Sequence, residues 1–285
     1  MVAVNPCFSK PTLRFSPPVE WSQRRFVRDH VWVPLGITAL LVVAGAFFGA
    51  DQKLADLLYA WEGYHWALRG AVATDRVIHQ VGHDLSLLAW TTAFTLWTVS
   101  LGSDRGRPWR KPLGYLVLST LLATALVAWI KSWSNMDCPW DLLRYGGDRP
   151  FVGLFDVRPI GLERGRCFPA AHASAGYAWL SLYFFLGVVR PGWRYSGLLV
   201  GLGTGLLFGV SQQLRGAHFI SHDLWAFALC WGTTVAVYRL FWPGSGLRDQ
   251  WLSALALEAT LFRALPVSYT TPAASTFMRA EKIAL

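Results

Sequence analysis

The chain has 285 residues, 53% of them hydrophobic and only 15% charged, with 16 tryptophans and a net charge of +9. Soluble domains carry about 25% charged residues, so this composition excludes an ordinary soluble domain. The basic residues form no continuous patch and match no nucleic-acid reading motif, which excludes nucleic acid as the partner.

Residues 1–30 contain Pro6, Pro11, Pro17 and Pro18 and no apolar core. They read as a cytoplasmic tail without a signal-peptide pattern, leaving the first span as its own insertion signal. Apolar runs of about 20 residues have the length of a membrane-crossing helix. Such runs are expected at 31–50, 85–101 and 112–130, then, after a polar stretch at 132–166, at 171–189, 196–211 and 219–241. Trp32, Trp129, Trp133, Trp140, Tyr195 and Trp242 fall near their ends, as interfacial aromatics do. The expected fold class is all-α: a polytopic membrane bundle of six transmembrane helices over 31–242, with a second cytoplasmic tail at 243–285.

Between the first two spans, Leu54, Leu57, Leu58, Trp61 and Leu68 recur at helical spacing with Asp51, Lys53, Asp56 and Glu62 between them. That pattern predicts an amphipathic helix on the outer surface, capping the bundle. Lys10, Arg14, Arg24, Arg25 and Arg28, then Arg105, Arg107, Arg110 and Lys111, then Arg190 and Arg194, mark the cytoplasmic side by the positive-inside rule. The outer face then holds 51–84, 131–170 and the turn near 215–222. Arg144, Arg149, Arg158, Arg164 and Arg166 lie there against the rule. They mark either an anionic ligand or solvated loop charge.

Three polar segments sit where apolar runs meet water on that outer face: 131–140 (KSWSNMDCPW), 167–172 (CFPAAH) and 211–223 (SQQLRGAHFISHD). Phosphoryl transfer through histidine needs a nucleophilic imidazole, a proton donor for the leaving oxygen, and fixed cations around the phosphate. His218 and His172 suit the first two roles, and Lys131 and Arg215 are the cations. The backbone N–H groups at Ala170 and Ala171 open a helix and add an anion-binding end. A further group must orient the nucleophile through its second ring nitrogen, for which His222 and Asp223 are the candidates. His-x-x-x-His at 218 and 222 also has metal-ligand spacing, and His79 and His83 would complete a four-histidine set. They read more simply as a polar helix end, and neither metal nor cofactor is expected.

Together the segments resemble the type 2 phosphatidic acid phosphatase superfamily of integral membrane lipid phosphatases. Its pattern is Lys, six residues, Arg-Pro; then Pro-Ser-Gly-His; then Ser-Arg, five residues, His, three residues, Asp. Here Lys131 and Pro139 keep the first spacing, with Cys138 at the arginine position. Pro169 and His172 keep the second, around Ala170 and Ala171. Ser211 and His218 keep the third, with Gln212 at the arginine position and His222 at the aspartate position. The resemblance implies His218 as nucleophile, His172 as general acid and Lys131 as phosphate ligand. Arg215, three residues after Gln212, shares its helix face and is expected to replace the missing guanidinium.

Cys138 and Cys167 flank two of the motifs and are expected to form a disulfide in an oxidising periplasm, leaving Cys7 and Cys230 reduced. The expected activity is hydrolysis or transfer of a phosphate on a lipid at the periplasmic leaflet of a bacterial inner membrane. Polyprenyl diphosphate, phosphatidylglycerol phosphate and the lipid A class are the substrate candidates. A non-catalytic lipid-binding or transport protein, or a histidine-ligated metal enzyme, are the alternatives. Gly201, Gly203, Gly205 and Gly209 predict close helix packing, and the span centres carry no charge to form a transport path.

Overall fold

The computed structural model describes residues 22–153 and 156–243; the predicted C-terminal tail and Cys7 lie outside these residues. Seven long helices follow in chain order. They are α1 Gln23–Phe48, α2 Ala50–Trp61, α3 (73–101), α4 Arg107–Trp133, α5 Ala171–Val189, α6 Arg194–Leu214 and α7 Ile220–Phe241. No strand occurs among the described residues.

Five of these helices, α1, α4, α5, the stretch ending in α6, and α7, are long and apolar enough to cross a membrane. The predicted span at 85–101 does form helix, but α3 falls short of that apolarity. Ser86, Thr91, Thr92, Thr95, Thr98 and Ser100 dilute its leucines, and Asp84 stands at its polar end. α1 begins earlier than its apolar run, because Ser22 caps its first turn and Phe26 and His30 are drawn into the core.

α4 packs against α3, α5 and α7, while α5 lies along α6 and α1 leans on α7. The shared core is aromatic: Tyr115 of α4, Tyr177 and Phe184 of α5, and Trp231 and Tyr238 of α7 are buried together. Polar tips within it are satisfied. Trp231 Nε1 donates to the His30 carbonyl at 2.6 Å, and the His30 ring bonds Tyr183 Oη at 3.2 Å. Leu40, Val43, Phe47, Leu88, Leu96, Val99, Leu199 and Leu206 point outward, the surface a hydrocarbon solvent tolerates and water does not.

The α5–α6 contact is made backbone to backbone. Gly197, Gly201, Gly205 and Gly209 recur every four residues and are buried along one face of α6. A Cβ at Gly201 would lie 2.4 Å from the Leu180 nitrogen, and one at Gly205 would lie 2.0 Å from the Tyr177 ring. Gly203 belongs to the opposite, exposed side with open space around it, so its predicted packing role is corrected by the helix period.

The close approach sets the position of the α5 N-terminus, which carries His172. α2 bears on the same end of the bundle. Asp51 accepts from the Ser221 N–H at 2.9 Å and from its hydroxyl at 2.6 Å, capping the first turn of α7 from another helix. Asp56 takes a two-pronged contact from Arg144 at 2.7 and 2.6 Å and a bond from Tyr145 Oη at 2.9 Å.

Candidate active site

The C-terminus of α4, the N-terminus of α5 and the α6–α7 turn meet at one end of the bundle, and main-chain bonds hold them in register. The Cys167 N–H donates to the Met136 carbonyl at 2.9 Å, the Trp140 N–H to Gly216 at 2.9 Å, and the Ala170 N–H to His222 at 3.3 Å. Each of the three polar segments is thereby bonded to the other two. Gly216 makes the sharp return after α6 with φ 67°, a conformation that favours glycine. A Cβ there would also strike the Trp66 ring at 2.4 Å.

Cys138 and Cys167 are joined as a disulfide, Cα to Cα 5.2 Å, 29 residues apart in sequence. Closing a loop of that length stabilises the folded chain by roughly 3–4 kcal/mol in the chain-entropy account. Reduction, or replacement of both cysteines by serine, is expected to lower the thermal midpoint of the detergent-solubilised protein. A circular dichroism melt with and without reductant checks it; unchanged melting would assign the staple no energetic role.

His218 precedes α7 and is buried, with Nδ1 3.3 Å from Nδ1 of the fully buried His222. In such a contact one ring donates and the other accepts. Burial first, then the charges of His222, Lys131 and His172, hold the His218 imidazole well below its ordinary pKa, against the Cys167 main chain, which favours protonation. A neutral imidazole is the nucleophilic form.

Lys131 closes α4, half-buried, within electrostatic range of His79, His172, His218 and His222. Its ammonium has no hydrogen-bond or ion-pair partner among the described residues. A partly desolvated cation with no counter-charge is costly unless an anion joins it. Ala170 spends its N–H on His222, leaving the Ala171 end of α5 as the open part of that helix terminus.

Two predicted roles are redirected. Asp223 lies against Gly209 of α6 and accepts from Gln213 Nε2, so His222, one helical step away, is the group that meets His218. Arg215 is buried and occupied: Nη2 donates to Asp75 of α3 at 2.6 Å and Nε to the Arg69 carbonyl at 3.1 Å. Its Nη1 is buried and has no hydrogen-bond partner among the described residues. Gln212 does not reach a motif residue; its Nε2 lies 3.0 Å from Nδ1 of His79.

His79 is the residue that sequence reasoning set aside. Its ring stacks on His172 with centroids 3.7 Å apart. The position of Asp75 and His79 one turn apart, facing Arg215 and Gln212 three residues apart, was the available signal. His83 bonds its neighbour Asp84 instead and is exposed. Among the described residues the histidines build no cluster of metal-ligand geometry; the group that does consists of Asp141 with the two disulfide cysteines.

The outer-loop arginines are largely spent on structure. Asp137, its side chain 1% exposed, receives Arg149 at 2.9 Å and Arg158 at 2.8 Å, while Arg144 holds Asp56 and Arg164 bonds the Ser134 carbonyl.

A cavity of about 470 Å³ opens between α3, α4 and α5. His83 and His172 stand at its polar end, and Leu87, Trp90, Leu121, Ala175 and Trp179 line it further into the bundle, Leu87 and Ala175 about one turn and Trp90 and Trp179 about two turns beyond the histidines.

No curated protein and no solved structure matches the chain. The family model described as the PAP2 superfamily matches residues 112–244, the stretch from α4 through α7 that carries all three polar segments. Over that stretch, a little under half of its length, the chain is similar to the PAP2 superfamily, a likeness that suggests a phosphatase-type membrane protein acting on a phosphorylated substrate.

Proposed function

We propose that the chain is a membrane phosphatase, or a phosphotransferase, that releases phosphate from a lipid-linked monoester or diphosphate through a phosphohistidine on His218. The observation that carries this reading is the unpartnered Lys131 ammonium among the imidazoles of His172, His218 and His222. That set offers a phosphate a cation, a nucleophile and a proton donor.

In the first step, His218 Nδ1–H donates to His222, leaving the Nε2 lone pair to attack phosphorus. The P–N bond forms as the P–O bond to the lipid breaks, and His172 gives its proton to the departing oxygen. In the second, a water or a second lipid hydroxyl attacks phosphorus, His172 takes its proton, and the P–N bond breaks. Lys131, the α5 N-terminus and Nη1 of Arg215 hold the non-bridging oxygens.

The apolar cavity ending at His172 favours a substrate with a hydrocarbon chain over a soluble phosphate. In this reading α3 is the sixth span, α2 lies on the outer surface, and the site faces the periplasm of a bacterial inner membrane.

Phosphate release from polyprenyl diphosphate, phosphatidylglycerol phosphate and lipid A, with EDTA present, tests the reading. Release that survives EDTA and favours chain-bearing substrates is expected. Loss of release on chelation would replace the phosphohistidine with a metal mechanism.

A further inference from the structure

The helix that supplies His79 and Asp75 lies upstream of residues 112–244, the stretch matched by the family model. Residues 73–81 are wound as a π-helix, a form that recurs at functional sites. Two contacts pin this segment to the end of α6, Asp75 to Arg215 at 2.6 Å and His79 to Gln212 at 3.0 Å. Gln212 occupies the position where the motif resembled by this sequence has an arginine, and its amide is engaged with an imidazole rather than facing the phosphate side. The held His79 ring then lies 3.7 Å from His172 at an interplanar angle of 25°.

We propose that His79 is a positioning residue for His172, its stacked ring fixing the imidazole that donates the proton to the leaving oxygen. The proposal rests on the phosphohistidine reading above for the role of His172. His172 sits in the first turn of its helix with no hydrogen bond to its ring among the described residues. A ring face is therefore what restrains it. Gln212 donating to Nδ1 of His79 selects the neutral Nε2–H form of that ring, which keeps two positive charges from being stacked together. The other charged or titratable groups around the pair are Lys131 from α4, Arg215 from α6, His218 before α7, and Asp75 and His83 from α3 itself.

The test compares His79→Ala and His79→Phe with wild type in the full-length, detergent-solubilised chain. A long-chain alkyl phosphate serves as the poor leaving group and p-nitrophenyl phosphate as the activated one. His79→Ala is expected to lose about ten- to a hundredfold in kcat on the alkyl phosphate, with KM little changed and a smaller loss on the aryl phosphate. His79→Phe, which keeps a ring on His172, is expected to recover most of it. Unchanged kcat, or an equal loss on both substrates, would overturn the positioning role.

Carbethoxylation of His172 by diethyl pyrocarbonate, followed by mass spectrometry, gives a readout independent of turnover. Removing the stacked ring in His79→Ala is expected to speed modification of His172, and equal rates would overturn the stack. Absence of phosphate release by the wild type would count against the proposed function, while the modification rates would still judge the contact.

Discussion

Replacement of His218 by alanine is expected to lower phosphate release by about 10⁴-fold or more, because no other group can form the covalent bond. The magnitude follows from the site's geometry. His222 is fully buried with its Nδ1 engaged by His218, and His172 belongs to a different helix. Neither ring can move into the place of the lost one without unpacking the α7 N-terminus, which Asp51 caps. The measurement is single-turnover phosphate release at saturating enzyme, with circular dichroism to show that the helices persist. A variant that retains a tenth of wild-type turnover would remove His218 as the nucleophile.

The second large effect is expected on folding. Gly201→Leu inserts a side chain where even a Cβ would come within 2.4 Å of the Leu180 backbone nitrogen, so the α5 and α6 backbones must separate. Overpacking of this kind costs about 3 kcal/mol, and here no flexible side chain is available to give way. Because α5 carries His172 at its start, activity should fall along with stability. Gly203→Leu, one helical face away and surrounded by open space, is the matched control and should be tolerated. Thermal inactivation of the two variants in the same detergent checks the pair; equal midpoints would contradict the close packing.

Much of the fold could be read from the chain because the relevant signals are local. Apolar length marked where α1, α4, α5, α6 and α7 lie, and the motif spacings marked the ends at which Lys131, His172 and His218 would gather. What escaped depended on which neighbour a helix face meets. The i, i+3 relation of Gln212 and Arg215 was legible, but their partners, His79 and Asp75, come from a helix more than a hundred residues earlier.

For the same reason Arg215 read as a free phosphate ligand when most of its guanidinium is committed to the protein. Asp223 and His222 are adjacent in sequence, and only the position of α6 decides that the carboxylate meets Gln213 while the imidazole meets His218. The outer arginines read as a cationic cluster because Asp137, a single buried carboxylate, gives no sequence signal that it holds two of them.

The central claim is covalent chemistry at His218, and trapping the intermediate tests it most directly. Protein mixed with a lipid phosphate, quenched in alkaline denaturant and digested, is examined by mass spectrometry for an acid-labile, base-stable phosphoryl group. The account predicts that group on the His218 peptide, with none on the peptides bearing His79, His172 or His222, and none in His218→Ala. Turnover accompanied by a phosphoryl group on a different residue would contradict it.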